Sequence, residues 1–572
     1  MTVAIAGSGP ARDAVAAALA DVDEPIADVD PGGISGADLA VVVGRVGETR
    51  FETANETALA ADLPWLAVEL GGVGGYPIVE AAVAGFGPGT ACYDCLHRRV
   101  AANADPDQPP QAAPDPETAR FAGAVAGREA ARLVSGEPSP VLGGVIEDPH
   151  ALRRILPVPT CECQPARDRT LALEHAPRAL DEALESAEAA LNERVGIVAQ
   201  VGEAESFPVP YYLATLGDTD GFSDATAAEQ AAGVDPDWNA AFMKALGEGL
   251  ERYCAGVYRT DEFETGTPAA VADAVGPSAF VRPDGDDWPD ADPETELAWV
   301  PGLDLDSLAT VSLPAAFVHY PPPEPRYRPA VTTGLGLGNG SVEAVLSGLY
   351  EVIERDAAML AWYSTFEPLG VDVDDEGFRG LVARASAAGL SVTPLLLTQD
   401  VDVPVVAVAV HREEWPRFAL GSSAHLDATR AATGALAEAL QNWLELRGMG
   451  RDAATDADGA IGEYATLPEH AREFVSVDGE VPAESVGPDE VPTGEAHVEA
   501  VVERLRTADL SAYAARTTTS DVAQLGFEAV RVVVPAAQPL FFHDAFFGER
   551  AETVPVELGF EPRLDRAHHP FP

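Results

Sequence analysis

Asn339-Gly-Ser-Val-Glu-Ala-Val-Leu-Ser-Gly-Leu-Tyr-Glu-Val-Ile-Glu-Arg-Asp356 is the stretch on which the reading of this chain turns. Its apolar residues recur at helical spacing. Glu351 and Glu354 sit three apart, with Arg355 directly after. Residues three or four apart share a helix face, so the two carboxylates project together. Glu343 lies about two turns upstream, at about 3.6 residues per turn. The approach to this helix is Thr333-Gly-Leu-Gly-Leu-Gly-Asn339. Glycine before a helix N-terminus suits a phosphate or tight backbone packing. The Gly-Lys-Ser/Thr ending of a P-loop is missing.

A second copy lies upstream, in Lys244-Ala-Leu-Gly-Glu-Gly-Leu-Glu-Arg-Tyr-Cys254. Glu248 and Glu251 are three apart, and Arg252 is four beyond Glu248. Two such helices facing each other would make an oxygen-lined pocket for hard cations. Mg²⁺ takes a few carboxylates together with water and substrate phosphates. Such ions bridge phosphate oxygens and neutralise charge as a phosphoryl group moves. Arginines supply the opposite charge beside the phosphates. Spacing alone leaves a second reading open, that of two exposed, salt-bridged helix faces.

The long stretch Gly336-Leu-Gly-Asn-Gly-Ser-Val-Glu-Ala-Val-Leu-Ser-Gly-Leu-Tyr-Glu-Val-Ile-Glu-Arg-Asp-Ala357 resembles the signature helix of the YcaO superfamily. The resemblance extends over roughly residues 175–572 and implies an α+β, ATP-dependent, amide-activating domain. By that resemblance Glu248, Glu251, Glu351 and Glu354 hold Mg²⁺, and Asn339, Glu343, Arg252 and Arg355 complete the ATP pocket. A third segment, Leu420-Gly-Ser-Ser-Ala-His-Leu-Asp427, precedes a helix over Thr429 to Leu446. There Glu438 and Gln441 match a family Glu-x-x-Gln pattern. Gly434 stands where relatives carry arginine, so Arg430, one turn earlier, is the candidate substitute. No lysine occurs near Asp220-Gly-Phe-Ser223, where one is expected, which leaves Ser223 as the candidate contact. The chain ends Ala567-His-His-Pro-Phe-Pro572. Termini usually fray, but a proline-rich end resembles the family's terminal motif, which reaches the active site. Proline holds such a tail extended, so ordering it costs little entropy. Pro570 and Pro572 are therefore candidate site residues.

The first ~165 residues alternate strand and helix patterns. Val3-Ala-Ile-Ala6, Leu39-Ala-Val-Val-Val43 and Trp65-Leu-Ala-Val-Glu-Leu70 are buried-strand candidates, and Arg12 to Leu19 is helical in pattern. This order predicts a parallel, Rossmann-like α/β sheet. Gly7-Ser-Gly-Pro10 lacks the third glycine of a dinucleotide fingerprint. Pro157-Val-Pro-Thr-Cys-Glu-Cys-Gln-Pro165 is rich in breakers, and Leu171 to Asn192 has helical periodicity. The expected division is therefore 1–168 and 175–572. Gly448 to His497, rich in Asp, Glu, Gly and Pro, is expected to be a surface excursion with little core of its own. No internal repeat occurs at solenoid spacing.

Of five cysteines, Cys92 and Cys95 form a CxxC, and Cys161 and Cys163 a CxC. Two close pairs can enclose a tetrahedral, structural Zn²⁺, if the pairs meet in space. Otherwise they are free, buried thiols. Cys254 follows Arg252 on a core-like helix and is a poor nucleophile candidate. With Gly7-Ser-Gly-Pro, the segment Ala91-Cys-Tyr-Asp-Cys-Leu-His-Arg-Arg99 resembles the partner proteins of azole-peptide synthetases. Those are similar in fold to ubiquitin-activating (E1) enzymes and present the substrate peptide.

Composition bounds the rest. There are 93 acidic and 36 basic residues, a net charge of -57, and Lys244 is the only lysine. Acidic clusters such as Asp284, Asp286, Asp287, Asp290 and Asp292 are spread along the chain. Two readings arise, an anionic surface for a cationic partner and adaptation to molar salt. The spread and the lack of lysine favour salt, since the Debye length falls to about 3 Å at 1 M. The same balance argues against nucleic acid, which needs basic patches. No apolar stretch has spanning length, and the N-terminus lacks a charged n-region. A cytoplasmic protein is expected.

Together these readings predict ATP-dependent phosphorylation of a peptide backbone amide, giving azoline cyclodehydration or thioamidation of a peptide or protein. A thioamide would call for a sulfur-delivering partner, and an oxidised azole for a dehydrogenase. A homodimer is a family expectation. E1-like adenylation of a carboxylate and a non-catalytic adaptor role are the alternatives.

Overall fold

The computed structural model describes residues 1–572 except 21, 23, 106–113, 149–150, 286–287, 455–460 and 572. Four sheets organise the chain. The first runs β2-β1-β3-β4-β5-β6-β7. Its strands are β1 (Val3–Ala6), β2 (Ile26–Asp28), β3 (Leu39–Arg45), β4 (Trp65–Leu70), β5 (Ala81–Phe86), β6 (Gly144–Asp148) and β7 (Ala151–Arg154). Only β2, β1, β3 and β4 are parallel; β4 to β7 pair antiparallel. The expected parallel sheet is therefore half of a mixed one. Antiparallel neighbours need no helical crossover, and β4–β5 and β6–β7 follow each other without one, although α3 (Tyr93–Asn103) and α4 (Pro116–Val134) lie between β5 and β6.

Alternation along β3 sorts its two faces. Leu39, Val41 and Val43 pack towards α1 (Pro10–Leu19) and α4 (Pro116–Val134). Ala40 and Val42 face α2 (Arg50–Ala60) and α3 (Tyr93–Asn103). That second face continues without a break into residues beyond 180, among them Ala183, Leu246, Tyr253 and Val522. Arg99 of α3 is fully buried there. It pairs with Asp521, which also accepts a hydrogen bond from the Tyr253 hydroxyl (2.8 Å).

The helix expected over 171–192 forms only as α5 (Leu180–Glu188). The residues before it run extended, and Glu174 bonds back to the Ser341 hydroxyl (2.7 Å). The second sheet is β8 (Val198–Glu205), β9 (Tyr211–Leu216) and β10 (Gln230–Val234), ending at β10. It carries α6 (Trp238–Gly256), capped by the Asp237 carboxylate on Ala240 N.

The third sheet combines β11 (Glu264–Gly266), β12 (Leu297–Asp304), β20 (Tyr513–Arg516), β21 (Glu528–Val533) and β14 (Leu335–Gly338), in that order. The strand β13 (Thr310–Pro314) pairs with β12, and the short α7 (Ala315–Val318) follows it. After β14 comes α8 (Ser341–Trp362).

The fourth sheet runs β18 (Phe418–Ala424), β17 (Val405–His411), β16 (Ser391–Leu396), β15 (Leu369–Asp372) and β19 (Glu480–Pro482). Beside it lie α9 (Glu376–Ala387) and α10 (Ala428–Met449), the latter capped by Asp427. The acidic stretch from 448 to 497 supplies β19 and buries Tyr464, Ala471 and Phe474 in the main core. It is part of the packed fold, contrary to expectation. Its charges hide a few well-spaced aromatics that pack against Trp362 of α8.

Candidate active site

Three sheets end in a strand followed directly by a long helix: β10–α6, β14–α8 and β18–α10. In each helix the eleventh residue is a glutamate: Glu248, Glu351 and Glu438. Each accepts a hydrogen bond from a backbone N–H at or just before the preceding strand. The donors are Ala232 (2.8 Å), Gly334 (3.0 Å) and Ser422 (2.6 Å). Position fourteen holds Glu251, Glu354 and Gln441, and position fifteen Arg252, Arg355 and Asn442. The helices can lie this close because strand glycines face them. A Cβ on Gly233 would sit 2.2 Å from Ala245 N, and one on Gly421 2.3 Å from Ala439 N.

Between the three units lies a cavity of about 1020 Å³. It is lined by Glu248, Glu251, Asn339, Glu343, Glu351, Glu354 and Glu438, with Arg252, Arg355 and Gln441. Burial, then the nearby Glu351 and Glu248 charges, push the Glu251 carboxyl up to about 8. Burial, with Glu438 beside it, does the same to Glu354, again to about 8. Glu248 and Glu438 are raised by burial as well. Crowded carboxylates of this kind ionise together only around a cation. The donors are all hard oxygens, as Mg²⁺ or Ca²⁺ requires. Asn339 donates its amide to Glu343 (3.0 Å), and its buried Oδ1 has no partner. The set fits a hard divalent ion carrying phosphates.

The two motif arginines differ. Arg252 is bound to Glu248 and to the Gln230 carbonyl (2.9 Å) on β10. Arg355 lies 3.5 Å from Glu354 and 3.8 Å from Glu438, in the midst of the acidic cluster. The lining also includes apolar residues, among them Met243, Leu337 and Phe527. There Arg178 stacks over Phe527 (4.6 Å) and donates to the Ser186 hydroxyl (3.0 Å) and the Gly526 carbonyl. Sequence reasoning missed this cation. The available signal was a lone basic residue just ahead of the amphipathic α5.

Three candidates, Ser223, Arg430 and Pro570, fall outside the cavity lining. Ser223 does not line the cavity; it is buried, and its hydroxyl serves the Gly256 (3.0 Å) and Tyr258 (3.2 Å) carbonyls. Arg430, 75% exposed in the first turn of α10, pairs with Asp427 outside the cavity lining. Pro572 lies outside the described residues. Pro570 is buried within a tail that is pinned along its length. Trp362 Nε1 donates to the Ala567 carbonyl (2.8 Å), Tyr464 to that of His568, and His569 Nε2 to that of Phe541 (2.6 Å). Arg355 is near enough to act electrostatically on His569. Cys254 is buried against Thr519, and burial holds its thiol up at about 12, as suits an inert group.

The four remaining cysteines meet. Cys92 and Cys95 open α3, and Cys161 and Cys163 come from the breaker-rich segment. Their sulfurs lie within 4.8 Å of one another, with separations of 3.8, 3.6 and 3.4 Å among neighbours. A ZnS₄ tetrahedron with bonds of about 2.3 Å has edges of about 3.8 Å. Val158 N donates to Cys95 Sγ (3.3 Å) and Gln164 Nε2 to Cys163 Sγ (3.3 Å), as outer partners of thiolates do.

A family model described as YcaO cyclodehydratase, ATP- and Mg²⁺-binding, matches residues 206–538. A protein of Methanothermobacter thermautotrophicus, described only as uncharacterized, is 33% identical over 209 residues, covering 35% of this chain and 53% of its own. The chain thus spans about half the length of that relative. Among solved structures, a heterocyclase in complex with substrate and cofactor aligns over 98% of this chain and 83% of its own, with a TM-score of 0.75 and 21% identity. That coverage includes the N-terminal sheet. YcaO from Methanopyrus kandleri, bound with AMPPCP and Mg²⁺, aligns over 65% of this chain and 94% of its own, with a TM-score of 0.50 and 26% identity.

Proposed function

The chain belongs to the YcaO cyclodehydratase family, and we propose that it uses ATP to phosphorylate a peptide backbone amide. The observation that carries this is the convergence of three strand-anchored glutamates, with their neighbours Glu251 and Glu354, on one cavity of nucleotide size. Glu248, Glu251, Glu351 and Glu354 would hold Mg²⁺, with Glu438 beside them, and Asn339, Glu343, Arg355 and Arg178 would complete the nucleotide site. Mg²⁺ there neutralises phosphate charge as the phosphoryl group moves. Arg355 adds positive charge from the protein side, and Arg252 braces Glu248.

A Cys, Ser or Thr side chain of the peptide adds to the amide carbon. The former carbonyl oxygen takes the γ-phosphoryl group, and ADP leaves. The side-chain addition closes the ring, and loss of inorganic phosphate and the amide N–H proton then forms the C=N bond of the azoline. The amide oxygen ends in the phosphate, and the protons of the nucleophile and the amide go to phosphate and solvent. With sulfide as nucleophile, the same oxygen leaves and a thioamide remains. The family's description as cyclodehydratases supports ring closure. The substrate is a peptide or protein, and 1–168 is the unit that would recognise and present it to 175–572. The tail through Pro570 and Pro572 would serve the same centre, since it is tied to α8 where Trp362 Nε1 donates to the Ala567 carbonyl. The free cysteines suit the reducing cytoplasm.

The test uses candidate peptides labelled with ¹⁸O at the backbone amide, in molar salt. ADP and labelled phosphate are expected together. Glu351→Gln should lose the reaction by at least about 10- to 100-fold, the loss typical even of outer-shell partners. AMP and pyrophosphate as products would instead establish adenylation of a carboxylate.

We further propose that Cys92, Cys95, Cys161 and Cys163 hold a structural Zn²⁺. One zinc per chain is expected in thiol-reduced protein, and none in Cys95→Ser. Purified wild-type protein free of zinc, yet fully folded, would refute this.

A further inference from the structure

The three strand–helix units share one more contact. In the first, Arg252 donates to the Gln230 carbonyl (2.9 Å), two residues before Ala232, whose N–H holds Glu248. In the third, Asn442 Nδ2 donates to the Leu420 carbonyl (2.8 Å), two residues before Ser422, whose N–H holds Glu438. Both donors are the fifteenth residue of their own helix. In the second unit the corresponding carbonyl is that of Thr332, two before Gly334. Its side-chain donor comes from another strand: Arg531 of β21 gives Nη1 to Thr332 (2.8 Å) and Nη2 to Val331 (2.9 Å). The fifteenth residue of α8, Arg355, lies among the carboxylates Glu354 and Glu438.

We propose that Arg531 is a positioning residue for the metal–nucleotide centre, fixing the strand lead-in that anchors Glu351 in the place of the helix's own arginine. The proposal rests on the nucleotide reading above. Arg531 is 3% exposed, and its guanidinium gives two carbonyls one nitrogen each, a rigid planar fork that the single nitrogen of an ammonium does not reproduce. Val331, Thr332 and Thr333 form the cavity wall between that fork and Gly334. Gly334 has φ +90°, and a Cβ there would lie 2.2 Å from the Val532 carbonyl oxygen. The lead-in is therefore tightly constrained, and a loosened fork would be felt directly at the Gly334 N–H and so at Glu351. The Glu251 and Glu351 charges lie close enough to stabilise the buried guanidinium. A strand residue that touches no ligand would thus set where a metal ligand stands.

The experiment is binding of a non-hydrolysable ATP analogue to the full chain at increasing Mg²⁺, with folding followed by circular dichroism. Arg531→Met should raise the Mg²⁺ needed for half-saturation about tenfold or more, while binding returns at saturating Mg²⁺. Arg531→Lys, which keeps the charge but lacks the two-nitrogen fork, should fall between the two. A purely structural role would lower the unfolding midpoint and leave the Mg²⁺ requirement unchanged. A half-saturation point within about twofold of the unsubstituted chain, in folded Arg531→Met, overturns the proposal. If that variant does not fold, Arg531→Lys decides in the same way: a rise of about threefold or more supports it, and no rise overturns it. Failure of the unsubstituted chain to bind the analogue at any Mg²⁺ would sink the nucleotide reading itself.

Discussion

His569 is buried, with Pro570 and Phe571, in a tail of the kind that ordinarily frays. Its Nε2–H donates to the Phe541 carbonyl, and Nδ1 is buried without a partner. Burial first, then neighbouring His568, lowers its pKa from 6.5 to about 3. A depressed histidine favours the folded state above its unfolded value, and that stability is lost as pH falls. The window therefore opens near 6.5 and closes near 3. The tail should detach progressively across it, read as rising cleavage by carboxypeptidase, and His569→Phe should flatten that dependence. A cleavage rate indifferent to pH, once the protease's own profile is removed, would overturn this account. Legibility at this scale followed chemical likeness. The two Glu-x-x-Glu-Arg copies were plain because charge repeats were visible. The third unit keeps only Glu438 and replaces its partners by Gln441 and Asn442, so its equivalence shows only in the strand contacts. Ser223 was misplaced because a sequence position near the cavity's strands is no guide to which way a hydroxyl points.

Elements with strong periodicity form where the sequence places them: α1, α6, α8 and α10, and strands β1, β3 and β4. Those that failed share a cause. Over 171–192 the helical pattern was real, but residues before Leu180 make their backbone bonds to α8 instead. Between 448 and 497, composition suggested solvent, yet Tyr464 and Phe474 pack on Trp362 and hold the tail. Average acidity says little when a few aromatics at the right spacing bury the segment. The mixed sheet is not legible for a related reason: α3 and α4 between β5 and β6 keep the strand–helix pattern of a parallel sheet, although the strands they join pair antiparallel.

For the whole molecule, a net charge of -57 opposes compaction unless it is screened. Few basic residues exist to neutralise it locally, so stability must depend on salt. The thermal midpoint should climb between about 0.1 M and 2 M KCl, as the Debye length shrinks from about 10 Å to under about 3 Å. A midpoint that stays level or falls would remove salt adaptation as the reason for the composition. No helix among the described residues is long and apolar enough to cross a membrane. The cavity draws its walls from 230–252, 332–355 and 420–442, each on a different sheet. No one of the three strand–helix units encloses it alone. Nucleotide occupancy would then report that all three have come together, and a half-folded copy would be silent rather than an idle consumer of ATP.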